Sequence, residues 1–596
     1  MGGEEIQRCV LVGTRTRRTL CGVRTTRSVH RRRTRFSQGT DEMTTATAAG
    51  DFAAQESGRL PRPWAGLFAL LSGVSLIVLD GSLVNILIPS MVSDLNLNRS
   101  QVLWCNSAYA LVFAGLLITA GRLGDRIGRR RFFMIGTVIF MFGSVIAGAA
   151  PNPGILILAR VIAAVGGAMM LPTSTAIINV EFTGERRAIA FGMFGAVFGG
   201  MAALGPVLGG WLTQDFSWRW AFYVNIPVGL ISLALMFKYI PVSVKEKMDG
   251  LDPVGVFLSA IGLGSLILGL IDGQQYGWWK ALEATSIGPI SFNPPGLSVA
   301  PIAIAFGIVL LIAFGFWEAH RNRQNKVALV NTGLFKIRRF TFGSLTALVV
   351  ALGEFGVLFV LPLWIEAVHG YGPLETGAIL AVLAVGTFIS GGLARKAAAA
   401  LGATRLVRAG MIFEIIGVIG VGCAMSTSWS PWWLAPPLIL YGLGLGFDAA
   451  QLTNVALEDV PVDQSGSASS VTSTFRQVGS ALGAAMLGAV LFSTFSGTLT
   501  RDISKETQFS AEQQQQIVDT VVNTSGQAII AYEKIPGDSA VVTDAKQSYT
   551  DAARYTAFSA AGLVALGLIF SLGLPRDERP DRKTKKKNEE LVHDHE

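Results

Sequence analysis

Charge is scarce in this chain. Asp, Glu, Lys and Arg make up 15% of its 596 residues while hydrophobic residues make up 51%, a balance too apolar for a soluble globule. Cysteine is scarcer still. Cys9 and Cys21 lie near the start and Cys105 and Cys423 inside apolar runs, with no spacing that suits a metal and no evident pairing. The chain has no Gly-x4-Gly-Lys-Ser/Thr phosphate loop, so nothing in it would bind ATP in that way to drive a pump. It also has no His-Glu-x-x-His and no Gly-x-Ser-x-Gly. The metalloprotease and hydrolase signatures are thus missing, and neither an enzyme nor a cofactor is expected. The net charge of +8 raises nucleic acid as a partner. The basic residues fall in short loops and tails without a DNA- or RNA-binding motif, which argues against it.

What the chain has in quantity is long apolar runs. Segments long enough to span a bilayer as helices fall at about 65–89, 102–120, 132–150, 154–178, 189–212, 220–240, 251–271, 297–317, 340–364, 374–394, 406–425, 432–452, 469–495 and 553–573. The expected fold class is an all-α polytopic membrane protein with fourteen spans and both termini on one side. Arg186 and Arg187, Lys245 and Lys247, Arg321 through Arg339, Arg395 through Arg408 and the run from Arg576 to Lys587 all fall in alternate loops, which the positive-inside rule assigns to the cytoplasm. One loop departs from that pattern. Residues 453–467 hold Glu458, Asp459 and Asp463 and no Lys or Arg, although acids weigh little in the rule.

The expected organisation is a disordered basic tail over 1–63, a six-helix bundle over 64–240, two inserted helices with their loops over 241–339, a second six-helix bundle over 340–575 and a charged tail over 576–596. The tail carries ten arginines before Met43. It lacks the apolar core of a secretory signal, fits the composition of a transit peptide, and leaves open whether translation starts at Met1 or Met43. A loop at about 496–552, external in this topology, holds four basic and eight acidic residues. Its stretch Ala511 to Val522 reads as a helix that would cap the outer opening.

The strongest charge cluster is GRLGDRIGRRR, Gly121–Arg131, with five arginines between two apolar runs. A topology anchor accounts for the arginines but not for Gly121, Asp125 and Gly128. Gly121 and Asp125 are four apart and share a helix face, where Gly allows a close neighbour and Asp can bond to it. VLDGSLVNILIP at 78–89 places Asp80 in hydrocarbon, at a cost of about 2.5–3.5 kcal/mol on insertion scales. Such a carboxyl either holds a proton or a cationic solute in a cavity or locks helices as a fixed ion pair, and Asn85 lies five residues on. Arg160 is the only charge in LARVIAAVGGAMMLPTSTA at 158–176. It either pairs with Asp80 or snorkels to the interface. GAVFGGMAALGPVLGGWL at 195–212 sets Gly205, Pro206, Gly209 and Gly210 in a small-residue row, which suits tight helix packing and a bend. GLGLGF at 442–447 also reads as helix packing, because no strand precedes it. Glu354, Glu414 and Asp448 lie inside later spans and are candidates for a substrate cation or a proton, or else are paired structural acids.

Together these motifs resemble the major facilitator superfamily. Gly-x-x-x-Asp-Arg-x-Gly-Arg-Arg, with Gly121, Asp125, Arg126, Gly128, Arg129 and Arg130, resembles its signature loop between helices two and three. Leu-Asp-x-x-x-x-Asn at Asp80 and Asn85, Arg-x5-Gly-Gly-Ala-x3-Pro from Arg160, and the Gly205-Pro206, Gly209-Gly210 cluster that marks antiporters resemble its fourteen-span drug:proton antiporter branch. WRWAFYVNIP from Trp218 and SGSASSVTSTFRQVGSALGAAMLG at 465–488, with Arg476 and Gln477, resemble that branch as well. In the second half GGLARKAAAALG at 391–402 occupies the place of a repeated signature loop but has Arg395 where Asp is expected. The resemblance covers about residues 64–575. It implies two six-helix bundles plus two extra helices, a multi-pass plasma-membrane protein with cytoplasmic termini, and partners that are protons, membrane lipid and small drug-like molecules. The implied function is proton-coupled efflux of amphipathic, cationic drugs or toxic compounds by alternating access. Export of one specific metabolite, lipid or amino acid on the same fold, and a non-transporting sensor, are the alternatives.

Overall fold

The computed structural model describes residues 62–97, 99–240, 252–276, 278–279, 285–287, 290–292, 298–324, 326–461, 464–506, 509–533 and 539–575. The basic tail with Met43, Lys245, Lys247, Asp463 and the charged tail from Arg576 lie outside the described residues. The first half comprises α1 (Pro63–Leu95), α2 (Arg99–Ile127), α3 (Arg129–Gly148), α4 (Pro153–Glu181), α5 (Gly184–Asp215) and the pair α6 (Trp218–Tyr223) and α7 (Asn225–Tyr239), which share one crossing. Two inserted helices follow, α8 (Pro253–Tyr276) and α9 (Val299–Arg323). The second half comprises α10 (Arg338–His369), α11 (Pro373–Leu401), α12 (Ala403–Ala424), α13 (Ala435–Ala456) and α14 (Ser465–Ile503). It continues through the short α15 (Ala511–Asn523) and α16 (Ala528–Tyr532) to α17 (Ser539–Ser571).

Local sequence explains where these helices start and stop. Asn152 accepts the Ile155 N–H at 3.0 Å and Pro153 opens the first turn of α4, the arrangement that satisfies an orphan donor where Pro's missing N–H costs nothing. Gly128 sits at φ +102° between α2 and α3 and Gly402 at φ +87° between α11 and α12. Both are turns that side-chain-bearing residues resist. The two positions correspond in the two halves, so the tight turn is repeated even though Asp125 is not.

Thirteen helical segments among the described residues are long and apolar enough to cross a membrane, against fourteen expected. The difference is α5. It is a helix of 32 residues, in which the apolar stretch among the described residues is Ile189–Met201. The all-α expectation has one small exception, an antiparallel hairpin between α8 and α9 that pairs Thr285 with Phe292 and Ile287 with Ile290.

The acidic loop that broke the charge pattern has a structural explanation. Arg339 Nη1 lies 2.6 Å from Glu458 Oε2 and 3.2 Å from Asp459 Oδ1, so these acids balance an arginine of a neighbouring basic loop. On the opposite side Trp211, Trp220, Trp432 and Trp433 are exposed, as expected of an interfacial aromatic belt. The capping stretch is helical as expected. Ile517, Val518 and Val521 of α15 are buried in the core of the second half with Ile503, Val541 and Tyr549.

Candidate functional site

Asp80 projects from α1 into the interior of the first half, where it is 1% exposed, and forms an ion pair with Arg160 of α4, which is 2% exposed. Arg160 does not snorkel. Its Nε donates to the Cys105 carbonyl at 3.4 Å and its guanidinium lies 4.4 Å from the centre of the Tyr109 ring. The second Asp80 oxygen accepts from Asn225 Nδ2 at 3.3 Å, and the same nitrogen lies 3.1 Å from Ser144 Oγ. Besides α1, helices α4 and α7 thus reach this one carboxylate, and α2 and α3 hold the two side chains that do so. Asn225 was legible only as part of the WRWAFYVNIP motif, with nothing to show that its amide turns inward. Asn85 lies on α1 and Pro206 on α5, with side chains outside the described residues, as is that of Arg395.

The glycine row of α5 explains how α1 and α5 come so close. A Cβ on Gly205 would overlap Ser82, two residues from Asp80, and one on Gly209 would meet Leu83. Gly210 faces the start of α11 at Leu374, and Gly199 faces Thr387 of the same helix. The row therefore packs α5 against α1 in its own half and α11 in the other.

The second half holds a larger acidic site. Glu354 of α10, Glu414 of α12 and Asp448 of α13 are 2%, 0% and 1% exposed, and each offers a carboxylate oxygen within 4.8 Å of the other two. Arg476 of α14 reaches Glu354 at 3.2 Å and stacks over Phe198 of α5, 4.9 Å from the ring centre. It is the cation of the site, and it stands where the halves meet. Neither oxygen of Glu414 has a hydrogen-bond partner among the described residues, nor have Glu354 Oε1 and Asp448 Oδ1.

Glycines again set the geometry. In GLGLGF a Cβ on Gly442 would strike the Leu383 carbonyl, one on Gly446 would strike Ser390, and one on Gly444 would lie 2.5 Å from the Glu414 nitrogen. Gly442 and Gly446 seat α13 on α11, and Gly444 seats it on α12, which brings Asp448 beside Glu414. Gly479 and Gly483 press α14 onto the Leu348 and Leu352 carbonyls of α10, which aligns Arg476 with Glu354.

A third constellation closes the basic side. Gly121 faces Ser470 and the Gly466 carbonyl, with no room for a Cβ. The Asp125 carboxyl lies against the Gly466–Ser467 backbone at the start of α14, where a helix N-terminus favours negative charge, and Arg129 Nε holds the same carboxyl at 2.9 Å. Arg130 Nη2 donates to the Phe237 carbonyl at 2.9 Å, at the end of α7. Beside this contact Asn179 Nδ2 donates to Ser465 Oγ at 3.0 Å, Ser469 Oγ to the Pro172 carbonyl at 2.8 Å and Arg187 Nε to Asn454 Oδ1 at 2.8 Å. The halves are therefore joined on the side that carries Gly128. Arg126 lies on the last turn of α2.

Known proteins match this architecture. Residues 70–484 match the family profile described as Major Facilitator Superfamily. The puromycin resistance protein pur8 of Streptomyces alboniger is 34% identical over 446 residues, spanning 72% of this chain and 82% of that one. The multidrug transporter protein MdtP of Bacillus subtilis is 28% identical over 528 residues, spanning 86% and 92%. The solved structure of the human organic anion transporter MFSD10 (TETRAN) superposes with a TM-score of 0.53 at 12% identity, covering 86% of this chain and all of that one, which shows the shared fold. With its helices in two bundles and a profile match across most of its length, the chain belongs to the Major Facilitator Superfamily and is a multi-pass membrane transporter.

Proposed function

We propose that the chain is a proton-coupled efflux antiporter of amphipathic, cationic drugs or toxic compounds, of the fourteen-span branch, with its basic side in the cytoplasm. The observation that carries this reading is the site of Glu354, Glu414 and Asp448, three buried carboxylates with one guanidinium beside them. Two ionised carboxylates at 4.8 Å repel by about 3.5 kcal/mol at an effective dielectric of 20. Three such pairs exceed what Arg476 alone offsets, so the site calls for further positive charge. Protons supply it in one state and a cationic cargo in the other, which is the exchange an antiporter performs. A membrane potential adds about 2.3 kcal/mol per net charge per 100 mV, enough for a gradient without ATP. The names of pur8 and MdtP agree with drug cargo. Asp80 and Arg160 form a second coupling element in this scheme, one that senses helix movement in the first half while exchange takes place at the acidic site of the second.

The test is efflux of a cationic dye from everted vesicles under an imposed pH gradient, comparing the wild type with Glu414→Gln. The expected result is loss of most gradient-driven transport in a variant that still folds, since removal of an unpaired buried charge does not destabilise. Unchanged gradient-driven transport in Glu414→Gln would reject the site.

A further inference from the structure

The acidic site of the second half has the ligand set of a metal centre. Glu354, Glu414 and Asp448 each bring one carboxylate oxygen within 4.8 Å of the other two. Three such oxygens fit within a circle of at most about 2.8 Å radius, close to the roughly 2.3–2.6 Å at which Ca²⁺ binds oxygen and looser than the roughly 2.0–2.1 Å shell that Mg²⁺ demands. The oxygens are also free. Among the described residues Glu354 Oε1, both oxygens of Glu414 and Asp448 Oδ1 are buried without a hydrogen-bond partner, and Arg476 holds the other Glu354 oxygen at 3.2 Å, which orients that carboxylate as the partner of a metal ligand does.

The frame around these oxygens is fixed by close backbone contacts. A Cβ on Gly410 of α12 would lie 3.0 Å from the Gly444 carbonyl oxygen and 3.1 Å from the Asp448 nitrogen, and one on Gly417 would lie 2.5 Å from the Tyr441 nitrogen. These contacts lock α12 to α13. The Tyr441 hydroxyl then ties α13 to α10 by donating to the Glu354 carbonyl at 3.2 Å, so all three ligand-bearing helices are held in one arrangement before any ion arrives. Charge selects a dication. With the three carboxylates ionised and Arg476 beside them, the site carries two net negative charges, and a compact ion needs no surface for an organic body, of which side chains this buried offer none.

We propose that Glu354, Glu414 and Asp448 bind one divalent cation of the size of Ca²⁺, with Glu414 ligating through one or both oxygens and water filling the positions that the protein leaves. The inference rests on the part of the proposed function in which these carboxylates are ionised and take up positive charge. It adds a competitor to that scheme. A metal on these oxygens excludes the organic cation, and the cargo excludes the metal.

Equilibrium dialysis of radioactive Ca²⁺ against the purified full-length protein in detergent tests the site. The wild type should bind one Ca²⁺ per chain, more tightly than Mg²⁺. Glu414→Gln and Asp448→Asn should each lower the affinity by at least about tenfold, since losing even the partner of a ligand has that effect, and Asp519→Asn on α15 should leave it unchanged. Melting curves give a second reading. Ca²⁺ should raise the melting temperature of the wild type and of Asp519→Asn, as a ligand of the native state does, and should not raise that of Glu414→Gln. The two acid variants are read separately, so misfolding of one leaves the other decisive. A wild type that binds no Ca²⁺, or binds Mg²⁺ more tightly, would overturn the proposal, as would unaltered affinity in the acid variants or an equal fall in Asp519→Asn. The metal site and the exchange site fail separately: dye efflux that needs Glu414 in a protein that binds no Ca²⁺ overturns the first alone, and Ca²⁺ binding with unchanged efflux in Glu414→Gln overturns the second alone.

Discussion

At the scale of single residues, the two acidic sites differ in how much partnering each carboxylate has. Asp80 has a guanidinium on one oxygen and an amide on the other, whereas Glu414 has neither. Asp80→Asn should therefore cost about 3–5 kcal/mol, because it leaves Arg160 buried without a counter-charge. Asp80→Leu combined with Arg160→Met should recover most of that loss, since a buried ion pair replaced by apolar volume is often neutral. Melting curves of the purified variants would show the order. A single variant as stable as the wild type would mean that the pair is not closed in solution. The pairing of Arg160 with Asp80 was one of two readings the sequence allowed, because each is the lone charge of its run while Arg160 lies near the end of its own. The contacts of Asn225 and Arg476 were not legible, because a motif marks a residue without naming its neighbour until the helix rotation is known.

At the scale of helices, position along the chain was legible and rotation was not. Apolar length marked out the helices, α5 among them as a helix of 32 residues. The convergence of Glu354, Glu414 and Asp448 depends instead on which face of α13 meets α12, and the clearances around Gly442, Gly444 and Gly446 decide that. Alternating glycines show that a helix is closely approached, but they do not name the neighbour. Gly444→Ala should therefore destabilise by about 1–3 kcal/mol, as overpacking does, since the new methyl would sit 2.5 Å from the Glu414 nitrogen. The same substitution at Gly315 of α9, where nothing lies within 4 Å, should stabilise by about 0.5–1 kcal/mol through lower backbone entropy in the unfolded chain. Opposite shifts in melting temperature are the expected result. A rise in melting temperature at both positions would mean that helix propensity, not clearance, governs them.

At the scale of the whole molecule, the signature turn and the start of α14 form one contact between the halves. The sequence marked Gly121 and Asp125 as a closely packed, bonded pair, and the structure supplies the partner as backbone, which no side-chain motif in residues 465–470 could disclose. In the proposed alternating-access scheme, access to the acidic site from the basic side requires this contact to open, so its closeness should set the balance between the two access states. Gly121→Leu places a side chain against Ser470 and the Gly466 carbonyl, where even a Cβ does not fit. A penalty of 1–3 kcal/mol on the closed state shifts a two-state balance by about 5- to 150-fold. In a background with the four native cysteines replaced, Ser470→Cys is buried at this contact in the closed state, so a membrane-impermeant thiol reagent applied to everted vesicles should label it slowly. With Gly121→Leu added the labelling should accelerate by a factor in that range. An unchanged rate would mean that the halves separate elsewhere and that Gly121 serves only the local fold of α2.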